Sequence, residues 1–305
     1  MKVISIGNGY VASHLPYEIA RWRVTADEQN LELFFREYKP DVIVNCTGFC
    51  GRPNVDQCEL EKSKTYMANV VVPAMLAQEC EARGVRMIHI GSGCIYFGES
   101  PNVFKKHTPE KMKLCPIGVS PDEWIKIYDY KSDEWTRTEP GWKETDFANP
   151  KSYYSKTKYA CDLMLGQMPN VTTLRIRMPI STQNNPRNFI NKIREYKQVI
   201  DIPNSVTFMD DLTRCIDWAI TTNQTGIFHI TNPEPLSAAD VMREYQKYKP
   251  EHTFEVIDEL TLDKITVAKR SNCILNSSKL KDAGFVMTPT KEALGACMAS
   301  YIKNI

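Results

Sequence analysis

The chain has 305 residues, 38 basic against 37 acidic side chains and a hydrophobic fraction of 42%. That length allows a large α/β core with an appended lobe, and the even charge balance offers no footprint for nucleic acid or an anionic membrane. Residues 1–10 turn glycine-rich too early for a signal peptide, no run approaches about 18 apolar residues, and ten cysteines lie scattered without C-x-x-C pairing. A cytoplasmic protein with mostly buried thiols and no bound metal is expected.

Short β-branched runs alternate with longer helix-patterned ones, the rhythm of a parallel sheet covered by helices. The pattern predicts strands over 3–6, 22–25, 41–45, 86–90, 171–177, 199–202 and 227–230, and helices near 30–39, 70–83, 152–168, 188–196, 211–221 and 237–248. Residues 97–150 break this rhythm with prolines, lysines and the tryptophans Trp124, Trp135 and Trp142. That is too long for an ordinary connection and reads either as an insertion beside a site or as a solvated loop stapled down by its aromatics.

Gly7-Asn8-Gly9-Tyr10-Val11-Ala12 follows the first predicted strand and has the G-x-G-x-x-A form of a dinucleotide fingerprint, in which glycines allow a tight turn and backbone N–H groups approach a pyrophosphate. Pro16 would cut short or kink the helix that follows. The second predicted strand has no acidic residue at its end to grip a ribose 2′-hydroxyl, while Arg21 and Arg23 lie close by. An NADP phosphate suits these arginines, which could equally be solvated.

Tyr154 and Lys158 stand four residues apart in a helix-competent stretch, so both fall on one face. A lysine held beside a tyrosine favours the phenolate, which would let the pair exchange a proton with a carbonyl or alcohol near neutral pH. Tyr245 and Lys249 repeat the spacing, but that copy has no companion serine, is followed by Pro250, and reads as helix surface. The first copy has a companion: 86–90 runs into Gly91-Ser92-Gly93-Cys94, at the carboxyl end of a central strand where open α/β sheets bind ligands.

Ser92, Tyr154 and Lys158 together resemble the Ser-Tyr-Lys constellation of extended short-chain dehydrogenases/reductases. More specific segments are Gly48-Phe-Cys-Gly-Arg52-Pro-Asn54-Val-Asp56 with Cys58 and Glu59, Leu174-Arg-Ile-Arg-Met178-Pro-Ile-Ser181 and Asn185-Pro-Arg187-Asn188-Phe-Ile190. Ile202-Pro203-Asn-Ser205, Thr225-Gly-Ile227, Thr231-Asn-Pro233 and Arg270-Ser-Asn272 continue the series. In order over nearly the whole chain, they are similar to the plant-type bifunctional nucleotide-rhamnose synthases, the UDP-4-keto-6-deoxyglucose 3,5-epimerase/4-reductases. The glycine loop here is one residue shorter than that family's usual G-x-x-G-x-x-G, and the insertion after Tyr96 is longer.

The resemblance implies a Rossmann-type doubly wound parallel sheet with a smaller C-terminal substrate-binding lobe. Residues 1–180 would bind NADP, and 181–305 would mainly hold substrate, with strands near 199–202 and 227–230 returning to the Rossmann sheet. Cys94 and Lys192 would be the epimerisation pair, and Ser92, Tyr154 and Lys158 would serve reduction by NADPH. For Cys94 a buried structural thiol, and for Lys192 a solvated helix lysine, are the bland alternatives. Gly7, Asn8, Gly9, Tyr10, Val11 and Arg23 would hold the cofactor, with Asn45, Thr47, Gly48, Asn69 and Met178; Asn69 would order water near Lys158. Arg52, Asn54, Arg187, Asn188, Pro203 and Arg270 would hold a UDP-linked sugar, with Ser92 and Cys94. A homodimer is the expected assembly. A dTDP- or GDP-linked substrate, and a cofactor-binding regulatory subunit that retains the fold without turnover, are the competing readings.

Overall fold

The computed structural model describes residues 1–100 and 141–305. Trp124, Trp135 and most of the predicted insertion therefore lie outside the described residues. The strands in chain order are β1 (Val3–Ile6), β2 (Glu18–Ile19), β3 (Val42–Asn45), β4 (Arg86–Ser92), β5 (Val171–Ile176), β6 (Pro179–Ile180), β7 (Gln198–Ile200), β8 (Thr207–Phe208), β9 (Gly226–Ile230) and β10 (Glu255–Ile257). The helices are α1 (Glu28–Tyr38), α2 (Gln57–Leu60), α3 (Lys62–Tyr66), α4 (Val72–Ala82), α5 (Tyr153–Leu165), α6 (Phe189–Arg194), α7 (Met209–Thr221), α8 (Ala238–Gln246), α9 (Glu259–Ile265), α10 (Ser278–Asp282) and α11 (Thr290–Lys303).

Six strands form one parallel sheet in the order β2-β1-β3-β4-β5-β9. Because strand side chains alternate between faces, two layers of core arise from one set of apolar runs. Ile4, Ile6, Ile43 and Met87 pack on one side with Leu31 and Phe34 of α1, Leu76 of α4 and Cys161 of α5. On the other side Val42, Val44, Ile88, Ile90, Leu174 and Ile176 meet Leu212, Cys215 and Ile216 of α7.

Two strand expectations need correction. Residues 22–25 are not a strand; the second strand is Glu18–Ile19, beside β1. Pro16 cuts the turn after the glycine loop to the 3-10 segment Ala12–His14, so the chain re-enters the sheet several residues sooner than a full helix would allow. The strand predicted over 199–202 does not return to the main sheet. It forms β7, which pairs with β10 in a separate two-stranded sheet, whereas β9 does join the main sheet next to β5.

The C-terminal half builds a second core from Ile180, Ile190, Val199, Phe208, Met242 and Leu294, with Tyr301 of α11, a helix that the sequence pattern did not single out. Tyr245 belongs to this core at 6% exposure, which overturns its reading as helix surface. The remaining end of the 97–150 stretch is stapled down as the aromatic pattern suggested. The Trp142 ring stacks on Tyr96 at 4.8 Å between centroids, and its Nε1 donates to Gly98 O at 3.0 Å.

A buried ion pair locks α5 to the sheet: Arg175 Nε of β5 donates to Asp162 Oδ2 of α5 at 2.8 Å, with the side chains 3% and 1% exposed. Arg175 Nη1 also donates to Tyr96 Oη at 2.9 Å, so the same guanidinium reaches the stretch that carries Trp142. Removing one partner strands the other charge in the core. Arg175→Leu should therefore cost about 3 kcal/mol or more of unfolding free energy by urea denaturation, well above the effect of a surface arginine substitution.

Candidate active site

The site gathers at the carboxyl ends of β1, β3, β4 and β5, around the point where strand order reverses between β1 and β3. Gly7 has φ +109° and a Cβ there would lie 3.1 Å from the Cys46 carbonyl group, so only glycine fits, while Asn8 and Gly9 are exposed with open space above Gly9. This is a backbone surface that a pyrophosphate can approach. Tyr10 is different: its side chain is buried, and its hydroxyl donates to Ser181 Oγ at 2.7 Å, tying the glycine loop to the second core. Arg21 and Arg23 are exposed just beyond the carboxyl end of β2.

Asn45 and Asn69, expected at the cofactor, have committed amides. Asn45 Oδ1 accepts from Thr47 N and Oγ1 at 3.0 and 2.6 Å, and its Nδ2 lies 3.1 Å from His89 Nδ1. Burial and the Lys158 charge hold His89 well below the ordinary imidazole range. Asn69 sits in a π turn, Met67–Val71, between α3 and α4. Its Oδ1 accepts from Phe49 N at 2.7 Å and its Nδ2 donates to Phe49 O and Thr157 Oγ1. It thus clamps the Gly48 loop to α5. Gly48 is exposed at φ +154°, and Met178 holds φ +39°, a left-handed conformation unusual for its side chain.

The N-terminus of α5 is fixed by three contacts. Ser152 caps it by accepting from Ser155 N at 3.1 Å, Glu59 Oε1 accepts from Tyr153 N at 2.6 Å, and Ser155 Oγ donates to Cys94 O at 2.6 Å. These bonds set Tyr154 against the end of β4, where Ser92 hydrogen-bonds its phenol. Ser92 Oγ also accepts from Cys94 N at 3.1 Å, which turns the chain there. Lys158 is 4% exposed, and its Nζ donates to Ile90 O at 3.3 Å.

Here the expectation of a lowered phenol pKa is corrected. Burial pushes the Tyr154 phenol well above its ordinary range, Cys94 and Cys50 add to that, and the Ser92 bond pulls the other way. Loss of hydration outweighs the hydrogen bond, so burial opposes ionisation of the phenol.

Lys192 of α6 lies near enough to Cys50 and Cys94 for their charges to act on its ammonium. Burial lowers its ammonium pKa, Arg187 and Arg270 act in the same sense, and Cys50 and Cys94 oppose them. The arginines expected on the diphosphate are tied to the Gly48–Asp56 loop: Arg187 donates to Gly51 O at 2.6 Å and Cys50 Sγ at 3.2 Å, and Arg270 straddles both Asp56 oxygens at 2.6 and 3.0 Å. Asn188 is a buried helix cap whose amide bonds Ser181, Gln183 and Ile190, so it is structural rather than a free phosphate ligand. Asn54 Oδ1 accepts from Asp56 N at 2.9 Å, and Arg52 and Pro203 are exposed.

Sequence reasoning missed two residues here, Cys50 and Arg177. Arg177 Nη1 lies 3.4 Å from Cys94 Sγ with the side chain fully buried. Two arginines two apart in the apolar run Leu174-Arg-Ile-Arg were the available signal, since a buried arginine needs a built environment.

Comparison with known proteins follows this geometry. Residues 12–119 match the RmlD substrate binding domain. The bifunctional dTDP-4-dehydrorhamnose 3,5-epimerase/dTDP-4-dehydrorhamnose reductase of Arabidopsis thaliana is 35% identical over 271 residues, 88% of this chain and 79% of that protein. The chain belongs to this epimerase/reductase family. A larger Arabidopsis trifunctional UDP-glucose 4,6-dehydratase/UDP-4-keto-6-deoxy-D-glucose 3,5-epimerase/UDP-4-keto-L-rhamnose-reductase is also 35% identical, with 92% of this chain spanning 37% of that protein's length. Among solved structures, the L780 UDP-rhamnose synthase of Acanthamoeba polyphaga mimivirus superposes with a TM-score of 0.80 at 27% identity, covering 98% of this chain and 99% of that one. The epimerase/reductase family comprises nucleotide-sugar oxidoreductases. Among the described residues, no helix is long and apolar enough to cross a membrane.

Asp56 tests the latch between the loop and the 268–270 segment. Its hydrogen bond from Arg270 holds the carboxyl below its ordinary range. A depressed carboxyl contributes stability above the unfolded pKa of about 4 and loses it as pH falls through the folded value. The melting-temperature gap between wild type and Asp56→Asn should be present at pH 7 and should narrow steadily below pH ~4.

Proposed function

We propose that this chain epimerises a UDP-linked 4-keto-6-deoxyhexose at C3 and C5 and then reduces it at C4, giving UDP-L-rhamnose. The observation that carries this reading is the grouping of Ser92, Cys94 and Tyr154 at the end of β4, a hydroxyl, a thiol and a phenol, with the Lys192 amine near enough for Cys94 to act on its charge. The 4-ketone acidifies its neighbouring C–H bonds, so inversion needs a base on one face, an acid on the other and a donor for the enolate oxygen. Cys94 as thiolate takes the carbon-bound proton, and the bonding pair moves into the enolate. Lys192 returns a proton to the opposite face. Ser92 and Tyr154 hold the C4 oxygen throughout.

Reduction uses the same oxygen site. NADPH supplies the hydride to C4 when bound, and Tyr154 gives its proton to the alkoxide that forms. A phenol kept protonated by burial suits that donor role. The exposed glycine loop supports dinucleotide binding, and Arg21 and Arg23 beyond β2 favour the phosphorylated form. Arg187 and Arg270 each carry five donors, enough to bond the loop and a diphosphate together.

UDP is preferred to dTDP because the trifunctional relatives and the mimivirus synthase carry UDP in their names. The dTDP reading rests on the name of the bifunctional Arabidopsis relative. NADPH oxidation on matched UDP-, dTDP- and GDP-4-keto sugars decides between them, and a preference of about 10-fold or more for UDP is expected. The homodimer is part of this proposal, and sedimentation of the intact chain checks it.

Cys94→Ser should cut solvent deuterium incorporation at C3 and C5 by about 100-fold or more, read by NMR in D2O. Undiminished incorporation would remove Cys94 from the mechanism. Tyr154→Phe should slow NADPH oxidation on the pre-epimerised ketone by a similar ~100-fold factor with little change in KM, as expected for a proton delivered in the transition state.

A further inference from the structure

Arg177 is a buried cation that the proton transfers above leave without a role. It follows β5 directly and is 1% exposed. Its Nη2 donates to Asn204 Oδ1 and, at 2.9 Å, to Ser271 O; its Nη1 donates to Ser271 Oγ at 2.6 Å and lies 3.4 Å from Cys94 Sγ. Its Nε is buried without a partner. These anchors are neutral dipoles. The named groups that oppose its desolvation are Cys273, Cys94 and Tyr154.

The backbone is shaped to bring this charge to the sulfur. A Cβ on Gly93 would lie 2.7 Å from Arg177 Cγ and 3.0 Å from its Cδ, and would collide with Leu275 Cδ1. Only glycine before Cys94 lets the arginine stem pass beneath the end of β4. A guanidinium this deeply desolvated is costly unless an anion forms beside it, and its contact with Cys94 is where one would form.

We propose that Arg177 is the positioning residue for Cys94: its guanidinium aims the sulfur at the sugar ring and is the counter-charge of the thiolate that removes the C–H proton. In that step the S–H bond forms as the C–H bond breaks, and the bonding pair enters the enolate. Negative charge passes from sulfur to the C4 oxygen, which Ser92 and Tyr154 hold. Lys192 gives its proton to the opposite face of the ring, and the sulfur-bound proton then passes to water, which restores the thiolate. Arg177 stays charged throughout, and because it does not move between steps its field is pre-aligned. The inference rests on the assignment of Cys94 above.

The test separates orientation of the thiol from simple support of the fold, since Arg177 also joins β5 to Asn204 and Ser271. Arg177→Met and Arg177→Lys are compared with wild type for deuterium incorporation from D2O into UDP-4-keto-6-deoxyglucose and for NADPH oxidation on the pre-epimerised ketone. The ratio of exchange to reduction should fall about 100-fold in Arg177→Met and by less in Arg177→Lys. Alkylation of Cys94 by iodoacetamide at pH 7, followed by peptide mass spectrometry, should slow about 10-fold in the folded methionine variant.

Equal losses of exchange and reduction, or unchanged alkylation, would overturn the proposal and leave Arg177 a staple. If Arg177→Met does not fold, Ser271→Ala keeps the charge but frees Nη1, and the exchange-to-reduction ratio should drop about 10-fold; no drop counts against the proposal. Exchange surviving Cys94→Ser would defeat the parent reading instead, and the alkylation rates would still report whether Arg177 governs the thiol.

Discussion

Helix α5 must lie hard against β4 and β5 for the site to exist, and the buried Asp162–Arg175 pair is the contact that holds it there. Gly91 leaves room for the β5 side chains beside that pair, because a Cβ at that position would sit 2.8 Å from Thr173 Cγ2 and 3.3 Å from Arg175 Cγ. One turn before Asp162 stands Lys158, and one turn before that Tyr154. The ion pair therefore helps set the height of both side chains relative to Ser92 and Cys94. A small error in that register would separate phenol from thiol, which proton transfer over hydrogen-bond distances does not tolerate.

Two kinds of polar burial are at work. Asp162–Arg175 is a paired charge with a structural task, extended through Tyr96 to Trp142. Arg177, two residues further on and just past the end of that strand, is a charge answered by dipoles and thiols. Their side chains leave the chain on the same face at a spacing of two, yet one supports the helix and the other reaches Cys94. The difference lies in what each meets: a carboxylate beneath α5 for Arg175, and the Gly93 gap with Cys94 beyond it for Arg177.

The loop from Gly48 to Asp56 joins the two halves of the molecule. Asn69 clamps its start to α5, and Arg187 and Arg270 grip its middle and end from the C-terminal half. This explains why so many residues of the family-like segments turn out to be bonded to one another. Asn45, Asn69 and Asn188, which the family resemblance put at the cofactor and substrate, each satisfy backbone or side-chain groups that burial would leave costly.

The amino-acid sequence by itself determined the parallel α/β framework, the glycine loop and the Ser92, Tyr154 and Lys158 set, because strand and helix periods and glycine requirements are local properties. It could not place the second strand, which depends on how Pro16 shortens the preceding turn, or keep β7 out of the main sheet, since an apolar run does not name its partner. Only the tertiary structure decided that burial raises the Tyr154 phenol pKa, that burial lowers that of the Lys192 ammonium, and that Arg177 Nη1 lies 3.4 Å from Cys94 Sγ. Those outcomes rest on desolvation and on contacts between residues far apart in the chain, and neither is written in the spacing of side chains along it.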